Sequence, residues 1–278
     1  MQNKTLFFLV CYITQLFLFN SSGYAQAEKE PPDEKNATEN PRSANTPILI
    51  ELQKPSELIA KVYSEDSVKW IKKDNPKALI IQFPNTIPIT YGQLLFIADP
   101  GIAPGKSGFY KNLSDQLPLL GWNFNYLYSD EQSFELNTEN SNTYSTELVV
   151  KAIDTIQSVA NDELFIIVRS RSTSDIIKLL PQLSSKSNGA VFVLDSMESL
   201  SKEENRQALV DFGQPIYILY PNDIETTAKS WLKQIKDQSQ KVKTTDVFPS
   251  QFHLDTEANF FAHRIHGWLK QLTLENPK

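Results

Sequence analysis

From residue 78 onward, short and almost wholly apolar runs alternate with longer stretches whose apolar residues recur at helical spacing. Gln93–Ala98 (QLLFIA), Leu164–Val168 (LFIIV), Ala190–Leu194 (AVFVL) and Ile216–Tyr220 (IYILY) read as strands covered on both faces. Asn123–Tyr128 is a further strand, and Val242–Phe248 is the last one expected. Between them, Phe109, Leu113 and Leu117 mark a helix that Pro118 is expected to stop. Leu148, Val149, Ala152, Ile153, Ile156 and Val159 mark another. Helices are also expected over 173–180, 203–210 and 225–235, and a final one carries Phe261, Ile265, Trp268, Leu269 and Leu272 on one stripe.

Repeated strand–helix units with apolar strands predict a mostly parallel sheet with helices on both faces. Val68–Ile71 and Ala78–Phe83 come before these units and read as an antiparallel pair. The expected fold class is therefore α/β, in an α/β-hydrolase-like arrangement, with a single domain over 47–278. The segment 28–46 (EKEPPDEKNATENPRSANT) carries charge, Pro and Asn but almost nothing apolar. Too little surface can be buried there to offset ordering entropy, so it is expected to be a disordered linker.

The first 27 residues change the picture. Lys4 precedes an apolar run from Leu6 to Phe19, and Tyr24-Ala25-Gln26-Ala27 ends in a small-x-small pattern. That order is the one of a secretory signal peptide, with cleavage expected after Ala27 and a periplasmic destination. Thr14 and Gln15 break the run, which argues against a retained membrane anchor. Cys11 falls inside the removed segment and is the only cysteine, so the mature chain is expected to hold no disulfide and no thiol chemistry. Losing Lys4 takes the net charge from −6 to −7. This acidic balance argues against nucleic acid as a partner. No stretch after the leader is apolar enough to span a bilayer.

Several local strings are similar to one family. They are Leu120-Gly121-Trp122, the joint at 164–180, and Ile265-His266-Gly267-Trp268-Leu269-Lys270 near the chain end. They resemble the exported bacterial proteins grouped as domain of unknown function family 3530, related to α/β hydrolases. The resemblance spans 58–271 and implies fold and export, but no activity. Its members carry a Gly-His-Gly-type turn at the joint, and this sequence departs from that.

The joint itself reads Arg169-Ser170-Arg171-Ser172-Thr173-Ser174. A hydrolase of this fold places its nucleophile here on a strained Gly-x-Ser-x-Gly turn. With the strand ending at Val168, the nucleophile position falls on Arg171, which cannot attack a carbonyl. A one-residue shift gives Ser170-Arg171-Ser172-Thr173-Ser174, with Ser172 at the centre. Asp223 and His253 follow the next-to-last and last strands, so Ser172, Asp223 and His253 have the chain order of a catalytic triad. Gly101 and Ile102, after the third strand, are candidate oxyanion donors, although Asp99 beside them would oppose a developing negative charge. The string Gly101-Ile102-Ala103-Pro104-Gly105-Lys106-Ser107 is too short between its glycines for a phosphate-binding loop.

Two readings stay open. In one, the catalytic machinery is degenerate and the protein has a binding or envelope-associated role, the crevice taking a small molecule, an anionic one if Arg169 and Arg171 supply the contacts. In the other, the protein is a carboxylic ester hydrolase using Ser172, Asp223 and His253. A lid formed by 129–143 is left open as well. His263 and His266 read as a polar helix face, so neither a metal nor another cofactor is expected.

Overall fold

The computed structural model describes residues 55–71, 78–105, 108–130, 146–159, 162–170, 173–247 and 258–275. The expected leader (1–27), linker (28–46) and most of the loop 129–143 lie outside the described residues. In chain order the strands are β1 (Val68–Trp70), β2 (Ala78–Phe83), β3 (Gly92–Ile97), β4 (Trp122–Ser129), β5 (Leu164–Val168), β6 (Gly189–Val193), β7 (Ile216–Tyr220) and β8 (Val242–Asp246). The helices are α1 (Pro55–Ala60), α2 (Gly108–Leu119), α3 (Thr146–Gln157), α4 (Thr173–Leu183), α5 (Glu203–Asp211), α6 (Thr226–Gln238) and α7 (Ala258–Glu275).

The eight strands form one sheet in the order β1-β2-β4-β3-β5-β6-β7-β8, so β1 and β8 are its edges. β1 pairs antiparallel with β2, and β2 antiparallel with β4. All pairs from β4 through β3 to β8 are parallel. The expected mostly parallel sheet with an antiparallel beginning is what forms.

Alternation along each strand divides the core in two. Leu95, Ile97, Ile166, Val168, Ala190 and Phe192 face α3, α4, α5 and α6. Leu94, Phe96, Phe165, Ile167, Val191 and Val193 face α2 and α7. All residues of β3, β5 and β6 are buried, as strands roofed on both sides must be.

Two helices run through prolines near their ends. α2 includes Pro118 in its last turn, and α4 continues through Pro181 to the buried Leu183. A proline this near a helix end forfeits one backbone bond. Burying Leu183, worth about 1.5–3 kcal/mol, offsets that loss.

The start of β3 depends on a glycine. Gly92 has φ +148°, and a Cβ there would lie 2.6 Å from the Glu163 carbonyl oxygen. That same oxygen accepts the Gln93 N–H at 2.7 Å, so the backbone cannot withdraw without breaking the β3–β5 ladder. Gly92→Ala should therefore lower stability by roughly 1–3 kcal/mol. A urea titration should show a lower midpoint with an unchanged slope.

Candidate functional site

In a sheet of this order, connections leave β3 and β5 in opposite directions, opening a crevice at their carboxyl ends. Asp99 follows β3 and Arg169-Ser170 follow β5, so both reach that point. The Ser170 hydroxyl donates to Asp99 Oδ1 at 2.7 Å, bridging the crevice floor. The Arg169 N–H donates to the Ile97 carbonyl at 3.1 Å, extending the β3–β5 ladder one step beyond the strands.

The Arg169 side chain turns back onto the protein. Its guanidinium carbon lies 4.2 Å from the Phe109 ring centre and 5.4 Å from that of Tyr110, both in the first turn of α2. Its Nε also donates to Asp195, just past β6, at 3.3 Å. The guanidinium thus joins β5, β6 and α2. Of the two arginines expected to line the crevice for an anion, Arg169 is engaged in holding these elements together. Arg171 lies outside the described residues.

The two candidate oxyanion donors also have internal acceptors. The Gly101 N–H donates to the Ser129 carbonyl at 2.7 Å, and the Ile102 N–H to the Asp99 carbonyl at 3.2 Å. Gly101 adopts φ +76°, a left-handed conformation that closes the loop on the end of β4 and suits glycine. The Ile102 carbonyl is fixed in turn by the Tyr126 hydroxyl at 2.9 Å. The loop therefore presents a structured edge, with its two candidate donors already committed.

Beside the Ser170–Asp99 bridge opens a cleft of about 250 Å³, between the ends of β5 and β6 and the start of α4. Its lining is rich in hydroxyls (Ser170, Thr173, Ser174, Ser196, Ser199), with Asp195, Glu198 and Lys202 as the charged members. Thr173 donates its N–H to the Ser170 carbonyl at 3.1 Å, and its hydroxyl bonds the same oxygen. Asn205, fully buried on α5, donates to Ser174 Oγ at 2.7 Å and to the Ser199 carbonyl at 2.6 Å. Neither Asn205 nor Ser199 stood out in the sequence.

Of the expected triad, Asp223 is exposed in the turn between β7 and α6, at the chain position anticipated for the acid. Ser172 and His253 lie outside the described residues.

The terminal histidines differ from expectation in one respect. His263 is exposed, but His266 is half-buried against the core. Its Nδ1 accepts the Trp122 indole N–H at 3.1 Å, with the Tyr91 ring edge-on at 5.6 Å. Helix α7 turns more of its circumference inward than the apolar stripe alone indicates. No group of three or more metal-binding side chains converges among the described residues, and no described helix is long and apolar enough to cross a membrane.

No protein-family model and no curated protein matches the chain. Among solved structures it is similar to a dienelactone hydrolase from Anabaena variabilis, with TM-score 0.54, 14% identity, 70% of this chain and 90% of that one covered. It is also similar to Est1E from Butyrivibrio proteoclasticus, with TM-score 0.51, 7% identity, and 74% and 98% covered. A Paleococcus ferrophilus monoacylglycerol lipase gives TM-score 0.51, 11% identity, and 70% and 99% covered. At such identities the likeness is one of fold. The chain has an α/β-hydrolase fold, with the parallel sheet, leading antiparallel pair and surrounding helices that define it.

Two outcomes follow from this geometry. Arg169→Met keeps the stem but loses the ring contact and the ion pair, and should cost about 1–2 kcal/mol. Because Asp195 is 60% exposed, most of that loss should come from the ring contact and persist at high salt, as thermal melts with and without added salt would show. The second outcome concerns His266, whose pKa is lowered by burial, then by the nearby Lys270 and His263 charges. The unfolded chain therefore takes up this proton first. The His266 contribution is whole above the unfolded value near ~6.5 and is lost as pH falls below it. Urea midpoints compared at neutral and mildly acidic pH should fall less in His266→Gln than in the parent.

Proposed function

We propose that this α/β-hydrolase-fold protein has a degenerate catalytic site and binds a small molecule at the crevice formed by the carboxyl ends of β3 and β5. We place it in the periplasm, exported by a leader cleaved after Ala27. The observation that carries the binding reading is the internal use of the Gly101 and Ile102 N–H groups, by the Ser129 and Asp99 carbonyls. Acyl transfer needs preorganised donors aimed at the oxygen where negative charge develops, and losing one costs roughly 3–4 kcal/mol of barrier lowering. The Asp99 carboxylate, fixed on Ser170 at the same point, adds negative charge where the reaction would create more. An anionic ligand, if that is the one bound, would be held by Arg171, since Arg169 is stacked on α2 and paired with Asp195.

A second reading has one observation in its favour. Ser172 follows β5, Asp223 lies in the turn after β7 and His253 follows β8, the places that an active serine hydrolase of this fold uses. In that reading Ser172 attacks an ester carbonyl, His253 takes the hydroxyl proton and Asp223 orients the imidazole.

Treating the mature protein with a fluorophosphonate probe separates the two. The binding reading expects no labelling above that of Ser172→Ala. Labelling of the parent that disappears in Ser172→Ala would replace it with the hydrolase reading.

A further inference from the structure

We propose that a second site, at the end of the sheet opposite the crevice, binds a neutral saccharide. A cavity of about 530 Å³ opens there, within the usual range for small-molecule sites. Its floor is the beginning of β3 and β4 and the end of β2, on the face that further along carries Ile80, Leu95 and Leu127. Instead of apolar side chains, this part of the face carries Gln82, Asn123, Asn125 and Gln93. Asn125 and Gln93 are almost fully buried, and polar groups at such depth are costly unless they are hydrogen-bonded.

Their hydrogen bonds form a directed chain. Gln82 Nε2 donates to Asn125 Oδ1 at 3.0 Å, Asn125 Nδ2 to Gln93 Oε1 at 3.1 Å, and Gln93 Nε2 to Asp162 Oδ2 at 3.2 Å. The terminal carboxylate fixes this direction. An ionised carboxylate only accepts, so Gln93 must turn its NH₂ toward Asp162, and each amide before it is oriented in turn. The chain therefore ends on Gln82 Oε1, an acceptor at the cavity, and each donation along the row polarises the next. Next to it, Asn123 has its oxygen occupied by the Asn85 N–H at 3.0 Å, which leaves its Nδ2 to donate. Thr90 Oγ1 already accepts from Asn85 Nδ2 at 2.7 Å, so its own hydrogen is available.

A fixed acceptor beside fixed donors suits hydroxyls, each of which gives and takes a hydrogen bond. Pro84, Ile156 and Val159 supply apolar wall for the C–H faces of a sugar ring. Among the described residues no Lys or Arg lines the cavity, which disfavours an anion. Of its two carboxylates, Asp162 is engaged by Gln93 and Asp66 is exposed, where solvent screens it, so the pull on a cation is weak.

Isothermal titration of the mature protein with cellobiose, maltose and N,N′-diacetylchitobiose, alongside spermidine and inorganic phosphate, tests this. At least one disaccharide should bind saturably at millimolar concentration or below. Gln82→Ala and Asn123→Ala should each weaken it by about tenfold, the loss of one or two hydrogen bonds to a buried partner. Val159→Trp keeps every amide and fills the cavity from an exposed position, so it should abolish binding while circular dichroism and the melting temperature stay as in the parent. Lys202→Ala, at the crevice cleft, should leave it unchanged. The proposal is overturned if no disaccharide binds, if only spermidine or phosphate does, or if binding survives Val159→Trp.

Discussion

The rest of the structure depends on one constraint: the central strands are buried on both faces. Each Leu, Ile, Val or Phe buried in β3, β5 and β6 contributes about 1.5–3 kcal/mol, and these strands have no exposed face to lose. Helices α3 to α6 must therefore cover one side, and α2 and α7 the other. Polar chemistry is largely excluded from the middle of the sheet. It collects where strands end and backbone groups lose their ladder partners.

The two ends treat that polar surplus differently. At the carboxyl end the loops turn inward: Gly101 and Ile102 close on neighbouring carbonyls, Ser170 on Asp99, and Arg169 on α2 and β6. Here binding groups have become structural ones, and what faces the cleft is mainly hydroxyl. At the amino end the amides of β2, β3 and β4 organise one another but leave capacity unused at the cavity. The fold thus ties its loop N–H donors to internal carbonyls where related folds carry their chemistry, and gathers a row of linked amides at the opposite end.

Much of the fold was legible because apolar runs and helical spacing respond to burial alone. β2, β5 and β7 fall on their expected residues, and the other strands within a few. Pro118 misled by one residue, since a proline in the last turn of a helix forfeits only one backbone bond. The commitments of the crevice loop were not legible, because the Gly101–Ser129 and Ser170–Asp99 bonds join residues distant in sequence. The amide floor did leave a trace. In Trp122-Asn123-Phe124-Asn125-Tyr126 the asparagines alternate with aromatics, which on a strand puts both on one face. An apolar count over the same residues averages that signal away, and the matching Gln82 and Gln93 become neighbours only through the sheet order.

The sheet edges bear on how the chain behaves at high concentration. An open sheet with such apolar inner strands offers, at each edge, a row of backbone groups that another chain can pair with. β1 is only three residues long, and a partner strand would gain few bonds from it. β8 reads Val-Lys-Thr-Thr-Asp, with Lys243 and Asp246 exposed, so a strand docking there would have to desolvate charge. Termination of the sheet, as much as its interior, thus works against edge-to-edge pairing of an apolar core.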